Sequence, residues 1–132
     1  MNCLNGTIET IKVFQSLTHV RVQVQNHFFS TIVIDTPETA NYLSIGNPVK
    51  VLFKETEVVI GRGDLGGISL QNKIEGIVKS VDKGALLSKV ILQTKIGEIG
   101  SIITTNAVNQ LEIIPDASVT AMIKTNELML ST

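Results

Sequence analysis

The sequence predicts an all-β fold with one short helix per repeat, built as two tandem five-stranded Greek-key barrels. Three observations predict it. The chain repeats itself at a spacing of 70 residues. Within each copy, apolar and polar residues alternate with period two, the mark of half-buried strands. Each copy is also interrupted once by a helix-start signal.

The repeat is legible residue by residue. Gly6-Thr7-Ile8-Glu9-Thr10-Ile11 lines up with Gly76-Ile77-Val78-Lys79-Ser80-Val81, and Leu17, Val20 and Val22 with Leu87, Val90 and Leu92. Val49 to Lys54 lines up with Val119 to Lys124 at the same spacing. Between these blocks, Thr36…Leu43-Ser44-Ile45 matches Thr104…Leu111-Glu112-Ile113 at a spacing of 68, which implies a second copy two residues shorter in one loop. Shifts confined to loops are expected of two copies of one fold. The boundaries are a first repeat over 1–61, a Gly-rich linker over 62–67 and a second repeat over 68–132. The linker region reads Gly61-Arg62-Gly63-Asp64-Leu65-Gly66 and so fits G-x-G-x-x-G. That fingerprint needs a helix directly after it, whereas Ile68 to Val81 reads as extended chain.

Val20, Val22 and Val24 alternate with Arg21, Gln23 and Gln25, and Val49, Val51 and Phe53 with their neighbours. The expected helix of the first copy opens at Thr36-Pro37-Glu38-Thr39, an N-cap followed by Pro at the first helical position, and continues through Ala40, Tyr42 and Leu43. That of the second starts at Thr104 or Thr105 and runs over Asn106 to Leu111. Five strands with one short helix describe a partly open Greek-key barrel of the OB type. A copy of about 60 residues is marginal alone, so the copies are expected to pack on each other or on other subunits. A second apolar row, Leu52, Val59, Met122 and Met129, marks the otherwise polar strand faces.

Composition excludes several functions. Hydrophobic residues make up 43% and charged residues 17% of the 132 residues, a packed globular balance. The net charge of −1 lacks the basic excess of nucleic-acid binders. Aromatics are 4% and Trp is absent, so the stacking platform of single-strand binders is missing too. No helix-turn-helix is present. The one cysteine, Cys3, cannot form an internal disulfide. Neither a signal peptide nor an apolar run of roughly 18 residues is seen, and a soluble cytoplasmic protein is expected. His19 and His27 lack the further ligands of a cation site. No Ser/His/Asp or paired-carboxylate arrangement recurs between the copies, so no enzyme is expected.

The informative segments open and close the second copy. Ser69-Leu70-Gln71-Asn72-Lys73-Ile74-Glu75-Gly76 and Ile123-Lys124-Thr125-Asn126-Glu127-Leu128-Met129-Leu130 resemble the two signatures of the mop, or TOBE, family: Ser-x-Arg-Asn-x-apolar-x-Gly and apolar-Lys-Ala/Ser-Ser-x-Val-x-Leu. The tandem arrangement is similar to the two-copy molbindins and to the effector half of the molybdate-responsive transcription regulator. The resemblance implies the OB-type barrel and a bound molybdate or tungstate, held where subunits or copies meet, with no organic cofactor. A tetrahedral dianion needs hydrogen-bond donors on every side, and charge-assisted bonds are the stronger ones. By this resemblance Ser69, Gln71, Asn72, Lys124 and Thr125 are candidate oxyanion ligands, with Ser101 and Thr104 before the second helix and Lys54 in the first copy.

The departures are specific. The family arginine is Gln71, which donates without charge. In the first copy Gln71 corresponds to Met1, the serine position falls before Met1, and Thr125 corresponds to Glu55, whose carboxylate repels an oxyanion. The expected function is storage of molybdate or tungstate by a homo-oligomer, trimer or dimer, without membrane or nucleic-acid partners. The alternative is an oxyanion-sensing module acting through a partner protein, and a distant one is nucleic-acid binding.

Overall fold

The computed structural model describes residues 1–132. Its first five strands are β1 (Asn2–Phe14), β2 (Leu17–Val24), β3 (His27–Val33), β4 (Pro48–Phe53) and β5 (Val59–Gly61). The next five are β6 (Asn72–Lys83), β7 (Leu87–Thr94), β8 (Gly97–Thr104), β9 (Ser118–Ile123) and β10 (Met129–Ser131), with one helix, α1 (Thr105–Gln110). Each strand of the second set begins 70 residues after its counterpart. The chain is thus mostly β, with two five-stranded curled sheets and one helix. No helix is long and apolar enough to cross a membrane.

The sheets do not divide the chain into halves. Their strand orders are β10-β4-β1-β2-β3 and β5-β9-β6-β7-β8. The last strand of each repeat has crossed to the sheet of the other. Met129 pairs with Leu52 and Val59 with Met122, both antiparallel and related by the same repeat. The second apolar row consists of these cross-strand pairs, so the apolar residues on the otherwise polar face pack along the exchanged ladders. This packing is what stabilises a pleated pair.

Long β1 serves two partners. Asn2 to Thr7 pair with β4, and Thr7 to Phe14 with β2, with a bulge between Ile8 and Thr10. β6 repeats this with β9 and β7, and bulges between Val78 and Ser80. The bulge adds twist and bends the strand over the barrel corner. Gly6 stands at that corner, where a Cβ would lie 2.6 Å from Val22 Cγ1. Only glycine lets the strands approach this closely.

Two expectations are corrected. The first copy has no helix over 36–43, only successive turns. The hydroxyl of Thr39 accepts from the Thr36 N–H at 2.9 Å and donates to the Thr36 carbonyl at 3.2 Å. A side chain that satisfies local backbone in this way competes with helix continuation. The second copy is also not two residues shorter. The Ile8 N–H donates to Asn47 and the Gly46 N–H to Ile8, while the Val78 N–H donates to Ala117 and the Asp116 N–H to Val78. Gly46 and Asp116 both have positive φ, 88° and 74°. Leu43 and Ile113 are the equivalent buried residues, at 2% and 1% exposure. The spacing of 70 therefore runs through the loop.

One apolar cluster of 25 buried residues draws on both sheets, from Val20, Phe29 and Val51 to Leu92, Ile99 and Ala121. Since each half lacks its own closing strand, neither half is complete. Segments 1–67 and 68–132, produced separately, are expected to cofold when mixed, and each alone to self-associate or stay unfolded. Light scattering and circular dichroism of the separate and mixed halves check this, and a folded monomeric half contradicts it.

Candidate functional site

The β6–β9 ladder brings the two signature segments together. Asn72 pairs with Ile123 at its end, so the next residues outward, Gln71 and Lys124, face each other across the gap. Ser69, Leu70, Gln71, Lys124, Thr125 and Asn126 line a cleft of about 80 Å³ there. Organic ligands fill roughly 300–1,000 Å³, so this cleft suits a small ion. Larger grooves exist, one of them about 570 Å³ and lined from Gly63 to Thr120, but Ser69, Gln71, Lys124 and Thr125 line none of them.

The donors at this cleft are available. Lys124 is in none of the chain's three ion pairs and is exposed. Ser69 and Thr125 take part in hydrogen bonds only through their carbonyls, which leaves both hydroxyls unpartnered. The Gln71 amide makes a 3.3 Å bond to the Ser69 carbonyl. From below, the buried Thr31 hydroxyl lies 3.0 Å from the Thr125 carbonyl and 2.8 Å from that of Leu128. The turn after β9 is thereby pinned, with the Glu127 N–H donating to Lys124.

Asn72, Ser101 and Thr104 are engaged elsewhere. Asn72 is buried. Its Nδ2 donates to the Ser30 carbonyl at 2.9 Å, and its Oδ1 accepts the Ser30 N–H at 2.7 Å. Asn2 does the same to Gly100, at 2.9 and 2.8 Å. Each amide acts as one rung of ladder between the start of a long strand and the edge of the other sheet. Ser101 is fully buried and donates to the Val58 carbonyl at 2.9 Å, the counterpart of Thr31. Thr104 caps α1, accepting from the Ala107 N–H at 3.1 Å.

Lys54 lies at the end of β4 and does not line the cleft. Beside it, the Met1 ammonium pairs with the Glu55 carboxylate. That hydrogen bond, with one from the Glu55 backbone, holds the Glu55 carboxyl below the usual carboxylate range. Sequence reasoning does not single out Leu70 and Asn126, since a cleft's lining is set by which turns converge. Asn2 and Thr31 escape it because their partners are backbone groups 98 and 94 residues away. No group of three or more His, Cys, Asp or Glu side chains is placed to hold a cation.

Loss of the Asn72 amide would leave the Ser30 N–H and carbonyl unpaired, at a cost of about 1–3 kcal/mol. Asn72→Ala is therefore expected to lower the urea midpoint by a corresponding amount. An unchanged midpoint would mean that this bond is not what the amide is for.

Residues 68–130 match the TOBE domain family. Among solved structures, the chain is similar to the cytoplasmic molybdate-binding protein ModG in a molybdate-bound crystal form. Identity is 27%, covering 99% of this chain and 95% of that one, with a TM-score of 0.93. A molybdate-binding protein from Sporomusa ovata is 37% identical over 43% of this chain and 85% of that one, with a TM-score of 0.42. MopII from Clostridium pasteurianum is 30% identical over 50% of this chain and the whole of that one, with a TM-score of 0.48. No protein of curated function matches the chain.

Proposed function

Taking as premise that this chain belongs to the TOBE domain family, we propose that it binds molybdate at the cleft of Ser69, Gln71, Lys124 and Thr125 and stores it without chemical change. The observation that carries this reading is the convergence of both signature segments at the end of the β6–β9 ladder, with a free ammonium and two free hydroxyls. Such donors match a tetrahedral dianion, whose oxygens accept but cannot donate. Tungstate has the same shape and charge and is taken as a second ligand. The likeness to ModG, described as cytoplasmic, supports a cytoplasmic store.

On this reading the repeats over 1–61 and 68–132, joined by 62–67, are two copies of one binding unit with unequal donors. The second supplies most of the donors, with Gln71 in place of the family arginine. The first offers Lys54, but Glu55, paired with the Met1 ammonium, stands where Thr125 would be and supplies no hydroxyl donor. Breaking a charged hydrogen bond to a desolvated partner costs on the order of 2–5 kcal/mol, or about 30-fold or more in affinity. Lys124→Ala is expected to weaken molybdate by that factor in calorimetric titration, with sulfate as control, and Lys54→Ala by much less. Equal losses would show that the copies contribute alike. No molybdate binding by the parent protein would refute the function itself.

The cleft is open on one side, and an anion held there would keep water on that face. A second subunit would close it. Phe14, Leu17, Ile32 and Ile34 form an exposed apolar patch on the outer face of the first sheet, the kind of surface that marks association. We propose a homo-oligomer, trimer or dimer, in which such contacts are buried. Light scattering should give two or three times the mass of the chain, and a stable monomer at micromolar concentration would refute this.

A further inference from the structure

A second polar cavity lies at the seam between the two sheets. It measures about 310 Å³ and is lined by His27, Lys73, Ile74, Glu75 and Lys95. It shares no lining residue with the Ser69–Lys124 cleft. His27 opens β3 of the first sheet, Lys73 to Glu75 belong to β6, and Lys95 sits in the turn between β7 and β8.

Three features set it apart from an ordinary surface dimple. Two ammonium groups and one carboxylate line it, and none of them is in an ion pair. The Lys73 ammonium has only a 3.4 Å bond to the Leu65 carbonyl. The imidazole Nε2 of His27 is buried with no hydrogen-bond partner, an arrangement that is costly unless something fills it. The ring is held edge-on to Phe29, with centroids 4.9 Å apart. Finally, the barrel does not require these groups. The positions related to them by the repeat are Gly97, Cys3, Asn5 and Gln25, all uncharged.

We propose that this cavity binds a phosphate group that still carries a proton, as inorganic hydrogen phosphate or as the monoanion of a phosphate monoester. Lys73 and Lys95 supply donors and charge to its oxygens. Glu75 is an acceptor only and repels a fully deprotonated oxyanion, but it accepts from a P–O–H. The His27 nitrogen is satisfied by the same ligand in either tautomer, because that ligand offers both an O–H and acceptor oxygens. Burial first, and then the Lys95 charge, hold the imidazole below its usual range, opposed by a bond to the Lys73 backbone. Sulfate and molybdate, with no proton at neutral pH, cannot donate to the Glu75 carboxylate in this way.

The test is calorimetric titration of the full chain at about pH 6, where a phosphate monoester is roughly half monoanion, with inorganic phosphate, methyl phosphate and sulfate. The Lys124→Ala variant is titrated in parallel to remove the other cleft from the comparison. Saturable binding of either phosphate probe, undiminished by Lys124→Ala, supports the site, and methyl phosphate tells a monoester from the free ion. Lys95→Gln should weaken it about ten-fold, the loss of one charge-assisted bond. Glu75→Gln should narrow the preference for phosphate over sulfate. The proposal falls if neither phosphate probe binds, if sulfate binds the parent as well as phosphate, or if Lys95→Gln has no effect. Chemical shifts of the His27 ring during the phosphate titration confirm the place of binding, and an unmoved ring overturns it.

Discussion

The exchange of closing strands is the constraint on which the rest of the structure depends. β5 hydrogen-bonds to β9 and β10 to β4, so each sheet is finished by the other repeat. Because the two exchanges are related by the same spacing, they impose a pseudo-twofold arrangement on everything between them. The turn from β9 to β10 must cross from one sheet to the other, and Lys124 and Thr125 sit on that crossing. The turn is held by a Thr31 hydroxyl from the sheet it is travelling towards. The candidate oxyanion cleft is therefore a by-product of how the barrels are closed.

The side-chain amides of Asn2 and Asn72 work with this exchange. Each binds an N–H and a carbonyl on the edge strand of the opposite sheet. Without them, β3 and β8 would present unpaired backbone to solvent at the seam, the usual liability of an edge strand. Hydrophobic burial in one shared core supplies the drive, and these few directed bonds fix where the two sheets stop sliding.

The strands are legible in the sequence because period two survives in each, and the repeat doubles every signal. The exchange is not, for a definite reason. Val59-Ile60-Gly61 and Met129-Leu130-Ser131 present the same kind of short apolar strand to either sheet, and pairing with one or the other leaves the side-chain pattern unchanged. Thr36-Pro37 is a good helix start, yet no helix forms in the first copy, because the Thr39 hydroxyl turns back on the backbone. At the candidate site, the signatures point to Lys124, Thr125, Ser69 and Gln71 as neighbours, and the ladder places them so. The resemblance also points to Asn72 and Ser101, which are polar residues occupied by backbone groups. A motif records that a residue type is required at a position, whichever partner requires it.

The crossing of the closing strands also sets an order in time. A ribosome makes β4 well before β10, and the interval from Phe53 to Met129 takes several seconds at about 5–20 residues per second. Throughout that interval the first sheet has four of its five strands and a bare edge at β4, while β5 waits for a sheet not yet made. Neighbouring nascent chains on one message carry the same bare edge and the same waiting strand. A β5 or β10 supplied by another molecule fits as well as its own, so crowded synthesis favours chains linked through their strands, and slow, dilute synthesis favours the self-closed form.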